Sequence, residues 1–158
     1  MIRSRLRRAL RREPSLDELM AALSLRLPQR MEHPGAGPTV VGKGNRLDSL
    51  LLLGHARGTA EIEVGDECDL EGVWVLHRDG ARLRVGSRTE LNRGCTIECV
   101  ESVCIGDDVL VAADVYISDN DSHSLDFEHR RHDHADRRRG ERNWSIVPRA
   151  PVSIESKA

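Results

Sequence analysis

Aromatic side chains are nearly missing from this sequence, which has two tryptophans, one tyrosine and one phenylalanine, or 3% of 158 residues. The hydrophobic fraction of 39% still suffices for one domain with a core, and that core must be aliphatic. No apolar run approaches the roughly 18 residues that cross a bilayer, and arginines stand where a secretory signal would be apolar. A cytoplasmic protein is therefore expected. There is also no CxxC pair, which speaks against Cys68, Cys95, Cys99 and Cys104 forming a disulfide or zinc framework and favours reduced thiols in the core. A net charge of −2 gives no support to nucleic-acid binding. It conceals an asymmetry, because six of the first twelve residues are arginine while the middle of the chain is acidic.

In residues 2–12, Ile2, Leu6 and Leu10 stand four apart among those arginines, the pattern of a short basic amphipathic helix. Such a helix can lie on an anionic membrane surface or pack on its own protein. Ser15 and Glu18 form a capping-box pattern after Pro14 and predict a second helix from Leu16 to about Leu25, its apolar face lined by Leu16, Leu19, Met20 and Leu23. Pro28 stops it, and residues 33–38, His-Pro-Gly-Ala-Gly-Pro, read as a linker. Residues 1–39 are thus expected to be a helical segment with a linker.

From Val40 onward the chain repeats. Val64-Gly65-Asp66, Val85-Gly86-Ser87 and Ile105-Gly106-Asp107 share one form, with a weaker relative at Val41-Gly42-Lys43, and their starts lie 23, 21 and 20 residues apart. Positions four, six, ten and twelve after each start are apolar or threonine except at Asn45. They include Leu51 and Leu53 in the first unit, Trp74 and Leu76 in the second, and Cys95 and Ile97 in the third. This spacing is neither helical nor simple alternation; it suits short extended segments joined by sharp corners, three to a triangular coil. The glycines are expected at corners because they tolerate unusual backbone angles. Coils of this kind stack as parallel strands at roughly 4.8 Å.

These phrases resemble the hexapeptide-repeat acyltransferases, in particular the maltose and galactoside O-acetyltransferase branch and related polysaccharide O-acetyltransferases. The resemblance covers residues 40–158 and implies an all-β solenoid, a left-handed parallel β-helix. It also implies acetyl-CoA as co-substrate, a saccharide acceptor, no required metal, and a homotrimer with sites between subunits.

After Ile117 the beat breaks, and it resumes only at Pro151-Val152-Ser153-Ile154-Glu155. One long polar insertion, about 118–150, in an otherwise regular solenoid marks a functional segment. It opens Ser118-Asp119-Asn120-Asp121-Ser122-His123. The resemblance makes His123 the catalytic base, and the chemistry agrees. An alcohol attacks a thioester well only as its proton is removed, and neutral imidazole does this near neutral pH, contributing about 10²–10⁴-fold. Asn92 matches an acceptor-site asparagine of the galactoside enzymes, where an amide can donate to a developing oxyanion; at a corner an asparagine also accepts positive φ. The family's acidic residue a few positions later falls on Val100, between Glu98 and Glu101. Asp119, Asn120 and Asp121 either orient His123 or form the turn, with Asp121 as a candidate substrate contact.

His129, His132 and His134 invite comparison with the zinc carbonic anhydrases built on this helix. Arg137, Arg138 and Arg139 can meet phosphates of coenzyme A or an acidic saccharide, or form a solvated charged face. The coils that hold the acetyl donor in the resembled enzymes follow the insertion, so cofactor-binding residues are expected mainly beyond Ala158. The chain would then be a fragment, be covered by another chain, or have lost acetyl transfer. A non-catalytic oligomerisation scaffold is the alternative reading.

Overall fold

Short extended segments recur wherever the sequence repeats. The computed structural model describes residues 36–47, 49–54 and 60–158. Both expected N-terminal helices lie outside the described residues. The chain divides into a unit Met1–Met31 and a unit Glu32–Ala158, and everything described belongs to the second.

Among the described residues twelve strands carry the fold: β1 (Ala36–Val41), β2 (Leu50–Gly54), β3 (Ala60–Val64), β4 (Asp69–Leu70), β5 (Gly72–Leu76), β6 (Arg82–Val85), β7 (Glu90–Leu91), β8 (Thr96–Cys99), β9 (Ser102–Ile105), β10 (Leu110–Val111), β11 (Tyr116–Ser118) and β12 (Val152–Ile154). They form three sheets, ordered β1-β3-β6-β9-β12, β10-β7-β4 and β11-β8-β5-β2, and every pairing between them is parallel. Each of the three middle coils gives one strand to each sheet, so the crossover between parallel neighbours is the rest of the coil itself. The result is a parallel β-solenoid. β1 begins at Ala36, inside the stretch whose glycine and proline content suggested a linker, and a register shift between Ala36 and Thr39 accommodates it.

Alternation along the strands fills the interior. Ile62, Val64, Leu70, Trp74, Leu76, Leu83, Val85, Leu91, Ile97, Val103 and Ile105 belong to one buried cluster. Their neighbours face outward and pair across coils, as in Glu61 with Arg82 at 3.4 Å and Glu63 with Arg84 at 3.3 Å. Three thiols are interior, while Cys104 on β9 points outward and is half-buried.

The corners correct two expectations. The repeat glycines have no positive φ; Gly42, Gly65, Gly86 and Gly106 are required because successive coils touch there. A Cβ on Gly86 would stand 2.5 Å from the carbonyl carbon of Gly106, and one on Gly106 would stand 2.6 Å from the Ser156 nitrogen. The left-handed conformation falls two residues later, on Gly44 (φ 75), Glu67 (58), Arg88 (54) and Asp108 (58), and Lys157 (65) continues the column. Each non-glycine there costs roughly 1 kcal/mol in backbone energy. Their charges alternate up the column, and Arg88 meets Asp108 through two hydrogen bonds of 2.6 and 3.0 Å. At the same corner Asn45, Cys68 and Thr89 each donate to the carbonyl of Gly65, Gly86 and Gly106, at 2.9, 3.0 and 2.9 Å. The polar exception Asn45 is thus the first rung of a ladder of short side-chain donors.

The second correction concerns register. Leu52 pairs with Trp74, and Trp74 pairs with Ile97. In the first coil the corner residues shift the phase by one, so Leu50 and Leu52 pack on the core and Leu51 and Leu53 take the alternate face. One extra residue exchanges the faces of a strand. Between the second and third coils the shift is two, which preserves the inward face and leaves the repeat intact to the eye.

Beyond β11 the chain forms two short helices, α1 (Phe127–Arg130) and α2 (Asp133–Arg139), then a 3₁₀ turn Trp144–Ile146, before β12. Neither helix contains a buried residue. No helix among the described residues is long and apolar enough to cross a membrane.

Candidate active site

The corner where the chain leaves the solenoid is built around Asp119. One coil below, β8 turns tightly into β9 through Val100 and Glu101, and the N–H groups of this turn face a level that the chain is abandoning. The Asp119 carboxylate replaces the missing strand. It accepts from the backbone nitrogens of Val100 (2.8 Å), Glu101 (2.6 Å) and Ser102 (2.8 Å), with Asn120 Nδ2 adding a fourth donor at 3.1 Å. Asp119 is 2% exposed, a burial tolerable for a carboxylate only because it is so fully hydrogen-bonded. Burial first, and the Asp119 charge second, push the neighbouring Cys99 thiol up to about 12. Asp119 is therefore a structural plug, and among the described residues no hydrogen bond joins its carboxylate to His123.

The next residues place the histidine. Ser118 Oγ donates to the Asn120 carbonyl at 2.9 Å. Asn120 Oδ1 accepts from the nitrogen of Ser122, which holds a positive φ of 61, and the His123 nitrogen donates to the Asp121 carbonyl at 2.6 Å. The imidazole then meets Asp133, the first residue of α2, through His123 Nδ1 and Asp133 Oδ2. A carboxylate on Nδ1 favours the tautomer with the proton on that nitrogen, leaving Nε2 as the hydrogen-bond acceptor of the neutral ring. The side chains of His123 and Asp133 are 53% and 27% exposed, so the ring is open to solvent. The sequence left Asp119 to Asp121 as either orienting groups or a turn; Asn120 and Asp121 form the turn, and the partner of the ring is Asp133, ten residues downstream. Only an acidic residue at the start of a helical stretch could have signalled it.

The return of the insertion closes its base. Asp121 N donates to the Pro148 carbonyl at 3.0 Å, and Ala150 N donates to the Asp119 carbonyl at 3.0 Å. Between the two strands of this base lies an open cleft of about 330 Å³ lined by Ser118, Asp119, Asn120, Asp121, Arg149 and neighbouring residues. Asp121 is exposed, and its carboxylate has no partner among the described residues, whereas Arg149 leans on Glu101 at 3.3 Å.

Asn92 lies elsewhere, on the corner between β7 and β8. Its side-chain nitrogen donates to the Val111 carbonyl at 3.1 Å, and no bond joins it to His123 among the described residues. Val100 is buried beneath Asp119. His129, His132 and His134 are all exposed, on or beside α1 and α2. His129 Nδ1 stands 3.5 Å from Ser124 Oγ and 3.9 Å from Asp126. Because one nitrogen faces both partners, the three do not form a relay. Among the described residues no three His, Cys, Asp or Glu side chains are grouped to hold a metal. Arg139 pairs with Asp136 and Glu141, so the arginine run is partly neutralised within the insertion.

Comparison with family models, with curated proteins and with solved structures finds no match for this chain.

Proposed function

We propose that this chain is a coenzyme-A-dependent O-acetyltransferase that modifies a sugar or polysaccharide precursor, with His123 as general base. The observation that carries the reading is the His123–Asp133 pair at the first break of a parallel solenoid. It supplies an oriented imidazole with Nε2 open, on a short loop fixed from both sides.

His123 Nε2 takes the proton of the acceptor hydroxyl as its oxygen attacks the acetyl carbonyl carbon, and Asp133 stabilises the imidazolium that forms. The C–S bond breaks, the sulfur leaves as thiolate, and the imidazolium returns the proton to it. Asp121 offers an acceptor for a sugar hydroxyl beside the base. Asn92 retains an unused Oδ1 for an acceptor contributed across a subunit boundary. The reading includes a homotrimer, a cytoplasmic setting, and peripheral membrane contact through residues 1–12.

The direct test is acetyl transfer from acetyl-CoA to a panel of saccharides. His123→Ala is expected to lower the rate by about 10²–10⁴-fold, and Asp133→Asn to lower it without altering stability. An unchanged rate in His123→Ala overturns the assignment. Calorimetry of acetyl-CoA with the full chain separates this reading from a scaffold, which would show no saturable binding.

A further inference from the structure

A second set of side chains reaches the residue before the candidate base, and no step proposed above employs it. Ser122, immediately before His123, has its nitrogen held by Asn120 Oδ1 at 2.9 Å. Its carbonyl accepts from Arg142 Nη2, which arrives from the far end of the insertion. The same guanidinium lies over the Trp144 ring, with Cζ 4.3 Å from the centroid. Trp144 in turn rests on the imidazole of His77, with centroids 4.7 Å apart and ring planes inclined by 44°.

His77 belongs to the solenoid. It follows β5, its nitrogen donates to the Cys99 carbonyl at 2.9 Å, and its Nε2 meets Glu98 Oε2 on β8 at 3.0 Å. With the His77 side chain 9% exposed and that of Glu98 25% exposed, this pair is a firm seat. The Trp144 backbone is pinned as well, since its carbonyl accepts from Arg149 Nη1 at 2.8 Å. A cation over an indole face contributes about 0.5–1 kcal/mol at exposed sites and more when water is excluded. Its value here is geometric: the planar guanidinium stacks on the ring and still directs an N–H at the Ser122 carbonyl.

We propose that Arg142 is a positioning residue for His123, holding the left-handed residue Ser122 against Trp144, which is seated on the His77–Glu98 pair. The inference rests on His123 being the base. Without Arg142 the carbonyl of Ser122 loses its anchor, the backbone relaxes from its positive φ, and the ring swings away from Asp133. Catalysis is sensitive to such displacements, with about 1 Å costing about 10²-fold.

The test uses the full chain and needs no activity. Long-range proton–nitrogen NMR reads the tautomer of each imidazole, with the His123 signal assigned by its loss in His123→Gln. The wild type is expected to show His123 protonated on Nδ1. Arg142→Ala should convert it to the tautomer mixture of a free imidazole at an unchanged melting temperature. Arg142→Lys, which keeps a cation and a donor, should restore most of the Nδ1–H form. Trp144→Ala should mimic Arg142→Ala, and Trp144→Phe should be intermediate. An Nδ1–H signal in Arg142→Ala indistinguishable from wild type overturns the proposal. If the ring is freed as expected yet the wild type acetylates no saccharide, the positioning role stands and the transferase reading falls. If acetylation depends on His123 but not on Arg142, the reading stands and this role falls.

Discussion

The stacked coils and the insertion are held in opposite ways. In the coils, stability is distributed: each inward side chain touches those above and below it, and outward charges pair in rows. In the insertion, α1 and α2 bury nothing, and position depends on a few separate attachments: Asp119 in its turn, His123 on Asp133, Arg149 on Glu101, Trp144 on His77 and the buried Val147. The coils provide a frame by repetition. The insertion gains its shape from single contacts, so individual substitutions there can move one group and leave the fold standing.

That contrast can be broken most forcefully from the frame. Ile97 is fully buried between Trp74 and Ile117, and Ile97→Ala is expected to cost about 2–5 kcal/mol in denaturant unfolding, lowering the midpoint for coils and insertion together. A loss confined to the insertion would show that the coils do not share their stability. Asp119→Ala should come next, at about 2–3 kcal/mol, since three backbone N–H groups lose a charged acceptor. Hydrogen exchange should show residues 100–102 and 119–150 losing protection while β3 and β6 keep theirs; uniform loss would place Asp119 with the frame.

Thiol chemistry sharpens the comparison without changing stability. With its thiol pushed up to about 12 by burial and by Asp119, Cys99 stays protonated and should resist alkylation in the native state at pH 8. Cys104, outward and half-buried, should be modified first by mass spectrometry. Equal labelling would mean that the turn above Cys99 opens readily.

The smallest effect belongs to the corner pair Arg88–Asp108. The hydrogen bond to Arg88 lowers the Asp108 pKa from its ordinary 3.8. Its contribution is present above that value and disappears as pH falls through the depressed one. Melting of wild type and Asp108→Asn should therefore differ slightly at neutral pH and converge below pH 3.8. Both groups are exposed, so salt should reduce the difference.

The beat of Val64, Val85 and Ile105 made the coils legible because an inward position must be apolar whatever its neighbours. The corners were harder to read. A glycine kept for close approach looks the same in sequence as one kept for φ, and Leu50 to Leu53 are all leucine, so a one-residue phase shift leaves no trace. His123 was visible as a departure from the beat. Asp133 and Arg142 were not, since their roles depend on how a non-repeating segment folds back, and no periodicity records that.

Asp119 has a further consequence for how such a molecule can be altered. A strand ladder is finished only when something satisfies its last row of donors, so lengthening or shortening a connection ordinarily disturbs the row beneath. Here one side chain closes that row at the point of exit. The β8–β9 corner is closed before the insertion begins, and the segment between Asp119 and β12 becomes a replaceable part. Exchanging it for another loop that begins with the same aspartate would change what the protein does at this corner without asking the solenoid to fold differently.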